Sequence, residues 1–326
     1  MKDYRLILKK LKSSYSFFLK FQIFDTVIIT ALLNIALILI CVLYFQKIQS
    51  LNFSNSALQY SQIKSIPNLA KNLESINSSA SAYVVYDPTS RSVIAGKNHS
   101  LRFSPASTSK IMSAIIALSY YDLDKYLIVP SNIYSIEGSK MHLIPGEKVS
   151  IRTLLYGMML PSANDAAYTL AYNYPGGLYG FVAKMNEKAK ELKLINTYFK
   201  DPDGYDDGNY TTALELSRLA AYAMQNETFR EIVATQYIEL VNSTRSHPFY
   251  LKNLNELLRY ENVVGIKTGF TNEAGGVLVS GIKKNDTIFI VVVLKSTDRF
   301  SDTQDLMKFI NEKVNFALPP VGSKTQ

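Results

Sequence analysis

The chain has 326 residues, 47% of them hydrophobic and 12% aromatic, enough to bury a core and to exclude wholesale disorder. Its single cysteine, Cys41, excludes an internal disulfide framework and any multi-cysteine zinc site. The 35 Lys+Arg against 27 Asp+Glu give a net charge of +8, yet half of that excess lies in residues 1–25, where Lys2, Arg5, Lys9, Lys10, Lys12 and Lys20 face only Asp3 and Asp25.

After this basic head, residues 26–45 read TVIITALLNIALILICVLYF, without a charge and with Asn34 as the one strongly polar side chain. At about 1.5 Å per residue such a run spans the roughly 30 Å hydrocarbon core of a bilayer as a helix. The basic flank predicts a single-pass anchor in the cell membrane, with the head in the cytoplasm and the rest exported. No A-x-A site follows Tyr44, and Ile40 stands where a lipoprotein signal needs a small residue before Cys41, so the anchor reads as uncleaved. Residues 46–79 are rich in Ser and Asn. Their helical pattern from Ile63 to Ile76 is broken at Pro67, which predicts a stalk or linker with room for one short amphipathic helix. Residues 80–318 have the size of one domain, and 319–326 form a tail.

Within that domain, 82–86 and 92–95 flank Asp87-Pro88 as an early hairpin. Helical periodicity occupies 108–121, 151–160, 164–173, 178–192 and 212–225. Two strong strands follow at 276–282 and 288–294, joined by a turn at 283–286; the second is apolar on both faces, as a fully buried strand is. A closing helix fits 302–315. Strands at both ends with helices between them predict an α+β fold, with one mostly antiparallel sheet flanked by helices.

Three short motifs carry chemistry. Ser107 and Lys110 lie three apart at the start of an apolar helical run, on one face of its first turn. A serine there sits among unpaired N–H groups that can stabilise an oxyanion, and a lysine of lowered pKa can take its proton. Taken alone, the pair also fits a helix-capping serine and an exposed lysine. Ser162 and Asn164 place a hydroxyl and an amide side by side after a second apolar helix, suited to proton relay and amide binding; a helix cap is the other reading. Lys267, Thr268 and Gly269 precede the late strand pair, where a peptide can lie alongside as an added strand. A solvated edge strand guarded by its lysine has the same pattern. In the order S-x-x-K, S-x-N, K-T-G the three form a specific constellation.

At these residues the chain resembles the serine-type D-alanyl-D-alanine carboxypeptidases, the low-molecular-mass penicillin-binding proteins, whose fold is β-lactamase/transpeptidase-like. Residues 80–95, Glu137 to Met141, Pro145-Gly146-Glu147, 181–186 and Asp201 to Ala213 extend the likeness over about 80–315. The resemblance implies that Ser107 attacks the carbonyl between two terminal D-alanines of a peptidoglycan stem peptide, with Lys110 as base. It implies that Ser162 carries a proton to the leaving amine and Asn164 holds the substrate amide. Lys267 and Thr268 would meet the terminal carboxylate, and the N–H groups of Ser107 and Phe270, which follows Gly269, would form the oxyanion hole. Arg299 would be a further carboxylate-binding residue. Water would hydrolyse the acyl-enzyme, and β-lactam antibiotics would inhibit by trapping Ser107. The chain ends about ten residues after its last helix, so the β-rich C-terminal domain common in that family is not expected. A D,D-endopeptidase, a β-lactamase or a non-catalytic cell-wall-binding protein on the same scaffold are the alternatives; no E-x-x-L-N element supplies a class A β-lactamase glutamate.

No cofactor or metal is expected. His99, His142 and His247 lie far apart without H-E-x-x-H spacing. Asp201, Asp203, Asp206 and Asp207 fail the register of a calcium loop, with Tyr205 at its fifth position and Thr212 at its twelfth. The 22 tyrosines are scattered without a basic stripe, which argues against nucleic acid.

Overall fold

In the computed structural model, residues 35, 37–40, 42–43, 66–69 and 76–317 are described. The chain divides into two units, Met1–Ile63 and Lys64–Gln326. The head, most of the expected anchor, most of the 46–79 stalk and the tail lie outside the described residues. Within the anchor, residues 35, 37–40 and 42–43 are helical and all are exposed. Among the described residues, no helix is long and apolar enough to cross a membrane.

The second unit is built on five antiparallel strands. These are β1 (Ala82–Asp87), β2 (Ser92–Lys97), β3 (Val263–Thr271), β4 (Gly275–Lys284) and β5 (Thr287–Ser296), in the spatial order β3-β4-β5-β1-β2. The early hairpin and the late strand pair thus meet across the domain, β1 pairing with β5 from Tyr86↔Ile290 to Ala82↔Leu294. Period-2 alternation explains why these strands are apolar on both sides. Val84, Ile290, Val292 and Leu294 face the larger core beneath the helices. Val85, Phe289, Val291 and Val293 face a second core with Leu306 and Ile310. Each such side chain contributes on the order of 1.5–3 kcal/mol by its burial.

The helices are α1 (Lys110–Tyr120), α2 (Ile151–Met159), α3 (Asn164–Tyr172), α4 (Gly177–Glu191), α5 (Ala213–Ala223), α6 (Glu227–Ala234) and α7 (Arg299–Lys313). α1 is central: Lys110 to Ala117 are all buried, and it packs against α2, α4 and α5. α7 covers the opposite face of β4 and β5.

Four features depart from the expected elements. Ser107 lies in a 3-10 turn, Ala106–Ser109, that precedes α1. Ile66–Leu69, inside the expected stalk, is a strand paired with Val314–Ala317; four residues of mixed character carry no periodicity that separates strand from helix. α6 and the hairpin Tyr237–Val241/Pro248–Lys252 were not anticipated. α7 starts at Arg299, earlier than 302, because Asp298 caps it by accepting a hydrogen bond from Ser301 N.

Candidate active site

The 3-10 turn holds Ser107 at the end of α1. Thr108 donates to Pro105 O from both its N–H, at 3.2 Å, and its hydroxyl, at 2.6 Å. Ala106 has φ +46°, a left-handed conformation that a non-glycine residue keeps only when its surroundings enforce it. Ser107 caps nothing: neither the turn nor α1 has a side-chain cap. Lys110 is wholly buried, which dismisses the exposed-lysine reading. Its Nζ donates to Ser107 Oγ at 3.0 Å, to Asn164 Oδ1 at 2.7 Å and to the backbone O of Asp203 at 2.9 Å. Burial lowers its pKa to about 8, against the opposing pull of Asp203, Asp201 and Asp165. A lysine near neutrality and 3.0 Å from a hydroxyl is placed to take its proton.

The second motif bridges α2 and α3. Ser162 adopts φ +65°, and its buried Oγ has no hydrogen-bond partner among the described residues. It caps no helix, since Ala163 is the N-cap of α3. Asn164 is locked on three sides. Beyond Lys110, its Nδ2 donates to Glu137 O at 2.7 Å and its N–H donates to Ser139 O at 2.6 Å. Gly138 lets that loop approach, since a Cβ there would lie 2.5 Å from Asn164 Nδ2. Asp165 fixes the same loop by accepting from Met141 N at 3.0 Å and Leu143 N at 3.1 Å.

The third motif lies on β3, at the free edge of the sheet. Lys267 is only 1% exposed, so it is no solvated edge-strand lysine. Its Nζ donates to Thr268 O at 3.1 Å. Burial holds its pKa well below the usual lysine range, and the Lys110 and Arg299 cations push the same way. Arg299, the first residue of α7, donates from a guanidinium nitrogen to Gly269 O at 3.0 Å, tying the K-T-G strand to that helix. At Gly269 a Cβ would lie 3.1 Å from Ser107 N, so the strand passes directly beside the nucleophile turn. The Phe270 ring is 62% exposed, and it is the backbone of Phe270 that follows this close approach.

The structure therefore brings Ser107, Lys110, Asn164, Lys267, Gly269 and Arg299 together at one end of α1 and the edge of β3, while among the described residues no hydrogen bond joins the Ser162 hydroxyl to them. Contacts join Ser107 to Lys110, Lys110 to Asn164, Gly269 to the Ser107 turn, and Arg299 to Gly269. Two contributors escaped sequence reasoning. Asp203 offers its backbone carbonyl to Lys110, and burial pushes its own carboxyl up to about 7 while Lys110 pulls it down. Glu137 offers a backbone carbonyl to Asn164, and its carboxylate accepts from the Tyr205 hydroxyl at 2.9 Å. Backbone carbonyls carry no residue-type signature; the family resemblance marked both stretches, Glu137 to Met141 and Asp201 to Ala213, without giving either carbonyl a role. Asp201 shapes the second by accepting from the N–H groups of Asp203, Gly204 and Asp206. Among the described residues, no group of three His, Cys, Asp or Glu side chains is placed to hold a metal ion.

Comparison with known proteins identifies the family and the fold. The D-alanyl-D-alanine carboxypeptidase family model matches residues 69–298. A D-alanyl-D-alanine carboxypeptidase of Streptomyces sp. strain K15 is 37% identical over 64% of this chain and 78% of its own length. The D-alanyl-D-alanine carboxypeptidase DacF of Bacillus subtilis is 33% identical over 66% of this chain and 57% of that protein. Relatives named D-alanyl-D-alanine endopeptidase match at 31% identity. The crystal structure of the Streptomyces K15 DD-transpeptidase superposes with a TM-score of 0.69 at 34% identity, covering 73% of this chain and 98% of that one.

Proposed function

The chain belongs to the D-alanyl-D-alanine carboxypeptidase family, and from that premise we propose how its residues perform the reaction. It is a serine D,D-carboxypeptidase that removes the terminal D-alanine of peptidoglycan stem peptides and reacts with penicillins. One observation carries the assignment of roles: a buried lysine, depressed to about 8, within 3.0 Å of a serine hydroxyl that caps no helix.

The stem peptide lies along the edge of β3, with its terminal carboxylate at Lys267 and Thr268. Burial and the neighbouring cations hold the Lys267 pKa well below the usual lysine range, and an arriving carboxylate raises it and pairs with the cation. Neutral Lys110 takes the Ser107 proton as Oγ bonds to the scissile carbonyl carbon. The oxyanion forms between the N–H groups of Ser107 and Phe270, which the close approach of Gly269 brings together. The tetrahedral intermediate then expels D-alanine as an amine protonated through Ser162, whose buried, unpartnered hydroxyl supports this relay. Asn164 orients both Lys110 and the substrate amide. Water, deprotonated by the same lysine, hydrolyses the ester and restores Ser107. A β-lactam follows the first half of this path and stays as the ester, because its leaving nitrogen remains tethered.

The acyl-enzyme can also be captured by an amine, which is how a DD-transpeptidase differs from a carboxypeptidase, and an endopeptidase differs in taking a cross-linked substrate. We further propose that residues 26–45 anchor the protein in the cell membrane with the catalytic domain outside the cytoplasm. The exposed apolar side chains of residues 35, 37–40 and 42–43 on a helix support this placement.

The test uses the full chain in detergent with fluorescent penicillin and a pentapeptide ending in D-Ala-D-Ala. The expected result is stoichiometric labelling and D-alanine release, both abolished by Ser107→Ala. Rapid penicillin turnover would instead mark a β-lactamase, and labelling without peptide turnover a binding protein.

A further inference from the structure

Ser79 is the last residue of the stretch expected as a stalk, yet its hydrogen bonds reach residues 217–223 positions later in the chain. Its N–H and its hydroxyl donate to the two carboxylate oxygens of Asp302, at 2.7 and 2.8 Å. The same hydroxyl oxygen accepts from Thr297 N at 3.1 Å and from Asp298 N at 3.4 Å. Asp302 is buried, and Ser296 Oγ donates to it as well. Building on the carboxypeptidase reading, we propose that Ser79 and Asp302 are positioning residues. They hold the start of α7 so that Arg299 stands beside the K-T-G strand and meets the terminal carboxylate of the substrate.

The geometry leads from this knot to the site. Arg299 is the first residue of α7. Ser79 Oγ binds the two residues before it, and Asp302 lies three residues after it, so the pair brackets Arg299 along the chain. The guanidinium itself is lightly held. Among the described residues it makes one hydrogen bond, to Gly269 O at 3.0 Å, and its buried Nε makes none. The Phe300 ring, 5.0 Å away, belongs to the same turn. The guanidinium therefore goes where the start of the helix goes, and helix ends fray within a residue or two. Burial raises the Asp302 pKa, but the hydrogen bonds from Ser296 and Ser79 outweigh it and leave it below the usual carboxylate range. A carboxylate in the first turn also suits the positive end of the helix dipole. The Arg299 cation is close enough to Lys267 to help depress its pKa. Displacing it removes one of the positive charges that face a carboxylate on the K-T-G strand.

The test uses the full chain in detergent and two pentapeptides, one ending in D-Ala-D-Ala and the other in its C-terminal amide. Cleavage releases D-alanine from the first and D-alaninamide from the second. The ratio of their kcat/KM reads the carboxylate contact, because a general loss of structure lowers both values together. Arg299→Gln is expected to lower this ratio about tenfold or more, as loss of a charge-assisted hydrogen bond does. Ser79→Ala and Asp302→Asn lower it in the same sense, through KM for the acid more than through kcat, whereas Ser79→Thr keeps the wild-type ratio. Neither substitution lowers the ratio further when combined with Arg299→Gln, as a shared route requires. Labelling to saturation by fluorescent penicillin shows that each variant is folded. Ser79 is exposed, so Ser79→Ala removes one surface hydroxyl and carries the test if Asp302→Asn labels short of saturation. An unchanged ratio in Ser79→Ala, or a fall that adds to that of Arg299→Gln, would overturn the positioning role while leaving the carboxypeptidase reading intact. Absence of release from both peptides by the wild-type protein would overturn both.

Discussion

Gly204 and Gly146 allow the placement of the nucleophile to be tested against a matched control. Both have left-handed φ, +80° and +83°. A Cβ at Gly146 would meet nothing within 4 Å, whereas one at Gly204 would lie 1.8 Å from Ala106 O, 2.5 Å from Ala106 C and 2.8 Å from Ser109 Oγ. Replacing either by alanine incurs the same conformational penalty, about 1 kcal/mol. Gly204→Ala adds overpacking against backbone, about 1–3 kcal/mol more. For a domain of this size each kcal/mol lowers Tm by about 2–4 °C, so Gly146→Ala should lose about 2–4 °C and Gly204→Ala about 5–15 °C. The larger effect is kinetic. Relieving the overlap moves Ala106 by more than an ångström, and Ser107 is the next residue. A displacement of about 1 Å at a reacting group costs on the order of a hundredfold in rate. The assay is the second-order rate constant for acylation by fluorescent penicillin, measured on both variants well below their Tm. If Gly204→Ala acylates within about threefold of Gly146→Ala, the turn does not set the position of Ser107 and the reasoning fails.

Three other outcomes follow from the same geometry. Lys110 acts as a base only when neutral, and its pKa is lowered to about 8, so acylation should rise about tenfold per pH unit below that value and level off above it. Asp203 pulls that pKa up, so Asp203→Asn should move the rising limb to lower pH; a limb that stays put removes Asp203 from the electrostatics of Lys110. The Lys267 pKa is held well below the usual lysine range and a bound carboxylate raises it, so binding a carboxylate-ended peptide to Ser107→Ala should be accompanied by proton uptake at pH values between the free and bound pKa. Calorimetry in buffers of different ionisation heat reads that uptake, and a buffer-independent heat would contradict it. Asp165→Asn leaves an amide facing Met141 N or Leu143 N, and should cost about 1.5–3 kcal/mol in denaturant unfolding together with a loss of acylation rate; an unchanged midpoint would show that the loop 137–143 holds Asn164 without it.

The parts of the site that could be read from sequence were those that local spacing encodes. Ser107 and Lys110 are one helical turn apart, and Ser162 and Asn164 are separated by one residue, so their proximity needs no tertiary information. The sheet was legible for a related reason: residues 288–294 are apolar at every position, short and rich in β-branched side chains, as a strand buried on both faces is. What stayed hidden acts through backbone or through distant partners. The carbonyls of Asp203 and Glu137 position Lys110 and Asn164, and no side chain announces them. α6 is only eight residues long, although Asn226, which accepts from Phe229 N, was a readable cap. The hairpin at 237–252 has exposed and inward positions alternating along both strands, a period-2 signal that is weak over strands of only five residues.

The pairing of β1 with β5 also governs when the protein becomes competent during its synthesis. Ser107 and Lys110 leave the ribosome early, but the strand carrying Lys267 is supported by β4 and β5, and β5 needs β1 as its other neighbour. Sheets closed by partners so distant in sequence form slowly and late. A chain stalled before residue 287 therefore holds its nucleophile without the edge that receives the peptide. Reactivity with penicillin is then a signal of completed folding, and truncation from the C-terminal side should silence it no later than the loss of β5.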